Sequence, residues 1–152
     1  MKLLKMLFLV LILISPAAAQ RSMKVTPPTD LIKFLGIESR DVEVKAADLN
    51  GDGQFEYFVK KIPCESNCST ALYQRRGNKF IELISLGGLV DVFKGSQNGM
   101  RNVAEYSYQG YIGDFVYTHY RWDGQDYTLS GCTVVIKSGK YKGQHENVEC
   151  AG

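Results

Sequence analysis

The chain has 152 residues and a formal net charge of +2 at pH 7, and this length allows one domain with a single core. Its first 19 residues contribute Lys2 and Lys5, so the remainder balances 16 basic against 16 acidic side chains. Because a nucleic-acid binding protein is expected to carry a basic surplus or patch, this balance argues against a nucleic-acid partner.

The N-terminus has the parts of a secretory signal peptide. A basic start precedes an unbroken apolar segment, residues 6–14, and residues 15–19 supply small side chains for cleavage after Ala19. The apolar segment is too short to span a bilayer, which takes about 20 residues, and no other segment is long enough. We therefore expect residues 1–19 to be a signal peptide. Residues 20–152 would form a single exported β-rich domain, periplasmic or secreted.

All four cysteines, Cys64, Cys68, Cys132 and Cys150, lie in the predicted exported part. An even number of cysteines in an exported chain indicates two disulfides, for which three pairings exist. We favour Cys64 with Cys68, which would fix a tight turn. Cys132 with Cys150 would fasten the C-terminal tail and contribute roughly 3 kcal/mol in the chain-entropy model. A zinc site is a weaker alternative, because the spacings are not paired C-x-x-C motifs.

The first predicted element is a short helix. Thr29 or Asp30 can cap its start, apolar side chains between residues 31 and 35 give it one apolar face, and Gly36 ends it. Residues 20–26 show no periodicity, so we expect them to form a loose arm.

From Asp41 onwards the pattern changes to the two-residue period of β-strands. Turn signals such as residues 77–79 and Asp123-Gly124 separate short alternating segments at intervals of roughly 8–12 residues. The tail from Gly139 is polar. These features predict a mainly β (α+β) fold: an antiparallel sheet, sandwich or small barrel of seven to nine short strands with one short N-terminal helix.

Residues 48–56, here called the acidic loop, place oxygen-bearing groups at every second position. This spacing allows a short loop to surround a hard cation such as calcium, with Gly53 permitting the necessary turn. The predicted ligands are the side chains of Asp48, Asn50 and Asp52, the main-chain carbonyl of Gln54, and Glu56, which would close the ring. A divalent ion would offset the mutual repulsion of the three carboxylates.

The acidic loop resembles the calcium loops of FG-GAP and VCBS-type repeats, whose pattern is D-x-N-G-D-G-x-x-D/E between two strands. The matching positions are Asp48, Asn50, Gly51, Asp52, Gly53 and Glu56. The resemblance implies one bound calcium ion, but those families repeat the unit around a propeller and this chain has it once. An EF-hand matches less well, because its final ligand position falls on Val59. The alternatives are a solvated turn without an ion and, less favoured, a magnesium site.

The order of motifs along the chain is similar to that of small exported bacterial proteins of unassigned function. The motifs are the acidic loop, the turn from Cys64 to Cys68, residues 73–77, the Asn98-Gly99 turn and residues 120–127. This wider resemblance implies an exported protein and no particular activity.

Aromatic side chains are dense in the second half of the chain: Tyr106, Tyr108, Tyr111, Phe115, Tyr117, Tyr120, Trp122 and Tyr127. Because side chains alternate along a strand, Tyr106 and Tyr108 share one face, as do Tyr120 and Trp122. We expect one set to lie in the core, and favour ordinary packing over a recognition face. His119 lies on the opposite face from Tyr120 and could be a general base, although no motif places a nucleophile beside it.

These patterns predict a small disulfide-stabilised module for binding or recognition, with calcium in a structural role. Its expected partner is a secreted or envelope protein, which it would bind, for example, as an inhibitor or immunity-type protein. One alternative is a small hydrolase of cell-wall or glycan material, using His119 or a carboxylate outside the acidic loop. Another is a structural domain without a metal. The absence of a catalytic motif makes an enzyme the less favoured prediction.

Overall fold

A computed structural model describes the following parts of the chain: residues 22–64, 68–109, 114–136 and 142–150. The predicted signal peptide and Tyr111 lie outside these ranges. Within them, no helix combines the length and the apolar character that crossing a membrane requires.

Ten strands lie within the described ranges: β1 (Met23–Val25), β2 (Val42–Ala47), β3 (Glu56–Lys61), β4 (Thr70–Arg76), β5 (Lys79–Leu86), β6 (Leu89–Gln97), β7 (Met100–Gln109), β8 (Asp114–Trp122), β9 (Tyr127–Val135) and β10 (His145–Val148). They form two five-stranded antiparallel sheets, ordered β1-β2-β3-β4-β5 and β10-β9-β8-β7-β6. The sheets pack face to face around a shared core. The predicted mainly β, antiparallel fold is confirmed, and of the three architectures considered it is the sandwich.

The ten described strands are one more than the predicted seven to nine, and two edge strands lie in segments that were not expected to form strands. β1 pairs with β2 in the segment that was expected to be a loose arm, and β10 pairs with β9 in the polar tail. All four residues of β10 are exposed. An edge strand that buries no face carries no alternation for the sequence to reveal, which explains why β10 was missed. β1 has three residues, of which Val25 alone packs against the core, too few to show a period.

The predicted helix is confirmed as α1 (Thr29–Leu35), and it ends at Gly36 as expected. The predicted cap was wrong, because Thr29 and Asp30 lie inside the first turn and the N-cap is Pro28, which makes no side-chain capping hydrogen bond. Gly36 has a φ of 65°, and its N–H donates to the carbonyls of Ile32 and Lys33. Glycine is favoured at this position because a side chain raises the energy of the left-handed conformation.

Helix α1 covers the outer face of the first sheet. The fully buried Leu31 packs there with four side chains of the sheet: Val42, Val44, Val59 and Phe80. The Arg75 guanidinium of β4 pairs with the Asp30 carboxylate and lies over the Phe80 ring, 4.5 Å from its centroid. The hydrogen bond from Arg75 lowers the pKa of Asp30. The start of the helix is therefore fastened to the sheet by packing and by charge.

The larger core lies between the two sheets. Leu72 and Leu86 contribute from the first sheet, and Val103 contributes from the second. The rings of Trp122 and Tyr127 meet there with their centroids 5.3 Å apart. Because each sheet supplies about half of this core, each depends on the other to bury its inner face.

Both disulfides join the cysteines that the sequence favoured. The Cα atoms of Cys64 and Cys68 are 5.7 Å apart, and those of Cys132 and Cys150 are 5.3 Å apart, within the range for disulfides. The second bond joins β9 to the chain just after β10. It therefore fastens an exposed edge strand that buries little surface of its own.

Truncation in the shared core provides a test of the sandwich packing. We expect Leu72→Ala to lower the free energy of unfolding by about 2–5 kcal/mol, because it leaves a cavity between the sheets. Leu129→Ala is the matched control, since Leu129 is 53% exposed, and should cost no more than about 0.5 kcal/mol. Urea unfolding of oxidised protein measures both values. Equal losses would contradict the packing described.

Candidate functional site

The acidic loop connects β2 to β3, and its side chains hold its own backbone. Oδ1 of Asp48 accepts the N–H of Gly51 (2.6 Å), and Oδ2 accepts the N–H of Gly53 (3.0 Å). These two glycines have φ angles of 75° and 82°, a conformation that side chains disfavour. The Asp48 carboxylate thus stabilises the turn by accepting two of its main-chain N–H groups.

The next two polar side chains repeat this arrangement. Oδ1 of Asn50 accepts the N–H of Asp52 (3.1 Å), and Oδ1 of Asp52 accepts the N–H of Gln54 (2.7 Å). Nδ2 of Asn50 also donates to Oδ2 of Asp52 (2.9 Å). The two bonds from main-chain N–H groups each close a short Asx turn. The result is a row of acidic and amide side chains on the outer side of the loop.

Glu56 differs from the other predicted ligands because it points into the protein. Its side chain is buried, at 1% exposure. Oε2 accepts the N–H of Leu49 (2.8 Å), and Oε1 accepts Nε2 of Gln74 (3.1 Å). Burial raises the pKa of Glu56, and the negative charges of Asp52 and Asp48 raise it further.

The structure therefore brings three predicted ligands together on the loop, namely Asp48, Asn50 and Asp52. Gln54 follows them in the chain and is exposed, whereas the Glu56 side chain is buried. Within the described ranges, no three His, Cys, Asp or Glu side chains are grouped closely enough to hold a metal ion. The calcium site stays a prediction, and oxygen donors of this kind fit calcium better than softer metals.

The acidic loop is also joined to the second sheet. The side chain of Leu49 is buried in the shared core, and its carbonyl accepts the N–H of Arg101 (2.8 Å). The Tyr127 hydroxyl donates to the carbonyl of Arg101 (2.8 Å). Burial and then the charge of Glu56 raise the pKa of Tyr127. Glu56, Leu49 and Arg101 thus connect the loop, the first sheet and the second sheet in one series of contacts.

The aromatic side chains divide between two faces of the second sheet. Tyr120, Trp122 and Tyr127 point inward and belong to the shared core or pack against it, so the expectation that one set is core is confirmed. The other set lies on the outer face. It comprises Tyr106, Tyr108, Phe115, Tyr117, His119 and Phe93, here called the aromatic face.

Ring contacts run along the whole aromatic face. Tyr108 meets Phe115 at a centroid distance of 5.4 Å, and Phe115 meets Tyr106 at 5.9 Å. Tyr106 stacks on Tyr117 at 5.2 Å, and Tyr117 stacks on His119 at 6.2 Å. Burial raises the pKa of Tyr117, with a further contribution from Asp91.

Phe93 closes one end of the aromatic face. Its ring is 5.2 Å from that of His119 and 6.5 Å from that of Tyr117, at interplanar angles of 66° and 79°. Sequence reasoning missed Phe93, because it lies on β6, outside the dense aromatic segment. The alternation of Asp91 and Phe93 could have placed it on one face of its strand. Its juxtaposition with β8 depends on a register shift that no local pattern encodes.

The ring of His119 is hydrogen-bonded to the hydroxyl of Thr133. Its Nε2 lies 2.7 Å from Oγ1 of Thr133, while the Ser130 hydroxyl donates to the His119 main-chain carbonyl (3.1 Å). Burial lowers the pKa of His119, and the charge of His145 lowers it further. Such a histidine could exchange a proton with a hydroxyl, but no carboxylate within the described ranges is hydrogen-bonded to the ring, as a catalytic triad requires.

Substitution of Glu56 tests its role as a buried acceptor. Glu56→Ala leaves the buried N–H of Leu49 without a partner, and we expect a loss of about 1–3 kcal/mol in the free energy of unfolding. Glu56→Gln keeps the volume and one acceptor oxygen, so its loss should be clearly smaller. Both are measured by urea unfolding in EDTA, which removes any contribution from a metal. Equal losses would show that the hydrogen bond to Leu49 is unimportant.

Comparisons with known proteins give no match from which a role for the site could be taken. Neither models of protein families, nor curated proteins, nor solved structures match this chain.

Proposed function

We propose that this protein is an exported binding module that recognises its partner through the aromatic face, while the acidic loop binds a structural calcium ion. The observation that supports recognition is the continuous row of ring contacts on the outer face of the second sheet. The partner is a component of the envelope or the surroundings of the cell.

The two outer faces of the sandwich support this proposal by their difference. Helix α1 covers the outer face of the first sheet with apolar contacts. On the second sheet, Tyr108 is 60% exposed and Phe93 is 37% exposed, and no helix of the described ranges packs over them. Exposed contiguous aromatic groups are typical of interaction surfaces, and tyrosine provides a rigid contact with a polar tip.

Export is supported by two independent features. The N-terminal sequence has the composition of a signal peptide, and both pairs of cysteines lie at disulfide distance. Disulfides persist in the periplasm and outside the cell, whereas the cytosol keeps thiols reduced.

The proposal of calcium rests on the preorganised acidic loop. The turns made by Asp48, Asn50 and Asp52 hold three oxygen-bearing side chains on one short segment. A carboxylate has about four acceptor positions, and Glu56 uses two of them for hydrogen bonds, so it could complete the ligand set from the inner side. The ion would neutralise charges whose repulsion otherwise raises the pKa of Glu56.

Thermal unfolding tests the calcium site. We expect the melting temperature of oxidised protein to rise from excess EDTA to millimolar calcium, because binding to the folded state adds about 2.7 kcal/mol at 100 times the Kd. Asp52→Ala should abolish this rise. Asp126→Ala, which removes an exposed aspartate from another turn, should retain it. A wild-type melting temperature that is the same in both buffers would refute the site.

Retention on immobilised protein tests recognition. Envelope and culture material from the producing cell is separated into protein, lipid and polysaccharide fractions and passed over wild type and variants. We expect wild type to retain one component that the Tyr106→Ser, Tyr108→Ser double variant binds about 10-fold less strongly, since central aromatic groups dominate binding surfaces. Leu129→Ser is the control. Leu129 is an exposed residue of the same sheet that pairs with the inward-facing Tyr120, so it does not belong to the aromatic face. Equal retention by the double variant would refute the proposed face.

A further inference from the structure

We propose that the aromatic face binds glycan, with one uncharged sugar ring seated in a depression beside Phe93 and His119. This inference rests on the proposed function, because it names the class of ligand for the same face. The depression has a volume of about 600 Å³. It lies where β6, β7, β8 and β9 run side by side.

Two glycines give the depression its depth. Gly131 lies opposite His119 in the strand register, and a Cβ built there would meet no atom within 4 Å. Gly95 faces Asn102, and a Cβ there would lie 3.3 Å from Nδ2 of that side chain. The missing side chains leave open space over Gly131 and bring main chain close to Asn102. A sugar ring can therefore approach the backbone of the sheet at Gly131.

Asn102 supplies an unused hydrogen-bond acceptor at this place. Its Oδ1 is buried and has no hydrogen-bond donor among the residues that the structure describes. A buried acceptor without a partner destabilises the folded state, so native proteins rarely leave one without a reason. Because the terminal torsion of asparagine is broad, a small rotation can present this oxygen to a hydroxyl in the depression.

The other residues that line the depression are aromatic on one side and carry uncharged polar groups on the other. The Phe93 and His119 rings stand at 66° to each other, and Ser130, Thr133 and Asn147 line the depression with hydroxyl and amide groups. None of the described lining residues is Lys, Arg, Asp or Glu. A phosphate or carboxylate group would find no fixed countercharge here, which favours an uncharged ligand.

A sugar ring matches this combination better than the other classes of ligand. Its C–H face packs on an aromatic ring such as Phe93, while its hydroxyls both donate and accept hydrogen bonds around the rim. A lipid chain would leave Oδ1 of Asn102 without a donor at a site that already lacks one. An extended peptide would gain most of its hydrogen bonds by pairing along the edge of a sheet, whereas this depression lies on the face of the sheet.

Calorimetric titration with defined oligosaccharides tests the inference. The probes are a hexamer of β-1,4-linked N-acetylglucosamine and a hexamer of β-1,4-linked glucose, added to oxidised protein in calcium. We expect at least one hexamer to bind. Asn102→Ala and Phe93→Ala should each weaken binding about 10-fold, the equivalent of one lost hydrogen bond or aromatic contact. Phe55→Ala is the matched control, because Phe55 and Phe93 are both 37% exposed.

Melting temperatures separate binding from folding. Since Asn102→Ala removes an acceptor that has no partner, we expect it to melt at or above the wild-type temperature while losing affinity for the hexamer. A variant that loses both would indicate that Asn102 stabilises the fold, and this would overturn its assignment to the ligand.

Failure of this inference is distinguishable from failure of the proposed function. If neither hexamer binds, but the Tyr106→Ser, Tyr108→Ser variant still loses a protein or lipid component, the sugar assignment is wrong and recognition by the aromatic face stands. Hexamer binding that is unchanged in Asn102→Ala and Phe93→Ala would show that the depression is not the site. If neither the hexamers nor any fraction distinguish the variants from wild type, both proposals are wrong.

Discussion

The hydrogen bond from Leu49 to the buried carboxylate of Glu56 is the contact on which the arrangement of the sandwich depends. It fixes the end of the acidic loop, and Leu49 in turn accepts a bond from Arg101 in the second sheet. A buried carboxylate is costly unless its oxygens are bonded, and Leu49 and Gln74 satisfy one oxygen each. The loop therefore does more than reverse the chain, because Leu49 packs in the shared core and bonds to both sheets.

The sandwich is also asymmetric in what its outer faces carry. The first sheet has one face in the shared core and the other beneath α1, so both faces are used for folding. The outer face of the second sheet buries Ala104 and Val135, which pair with His119 and Phe115, but it leaves Tyr108 and Phe93 exposed. Aromatic side chains that remain exposed contribute least to the core, so selection for binding can act on them with least cost to the fold.

Local patterns were sufficient for some features of this protein and insufficient for others. Helix α1 was predictable because its apolar spacing and Gly36 are local signals. The alternation around Tyr120 showed that two aromatic sets exist, but a period of two does not say which set faces another sheet. The position of Glu56 depends on Gln74, 18 residues away, and its inward rotation is invisible in a ligand pattern. Phe93, Asn102 and Gly131 line one depression only because pairing across several strands brings them to the same place.

The order of the strands has a consequence for the way the chain reaches this structure. Among the described residues, every strand pairing joins strands that are consecutive in the sequence. Apart from β1 and β2, which α1 separates, the paired strands follow one another after short connections, so their closure has a small entropic cost. Low separation between contacting residues accelerates folding. Because a chain is synthesised from its N-terminus, the first sheet can assemble while residues of the second are still emerging. In that order, the inner face of the first sheet stays exposed until β6–β10, the next strands in the chain, fold and cover it.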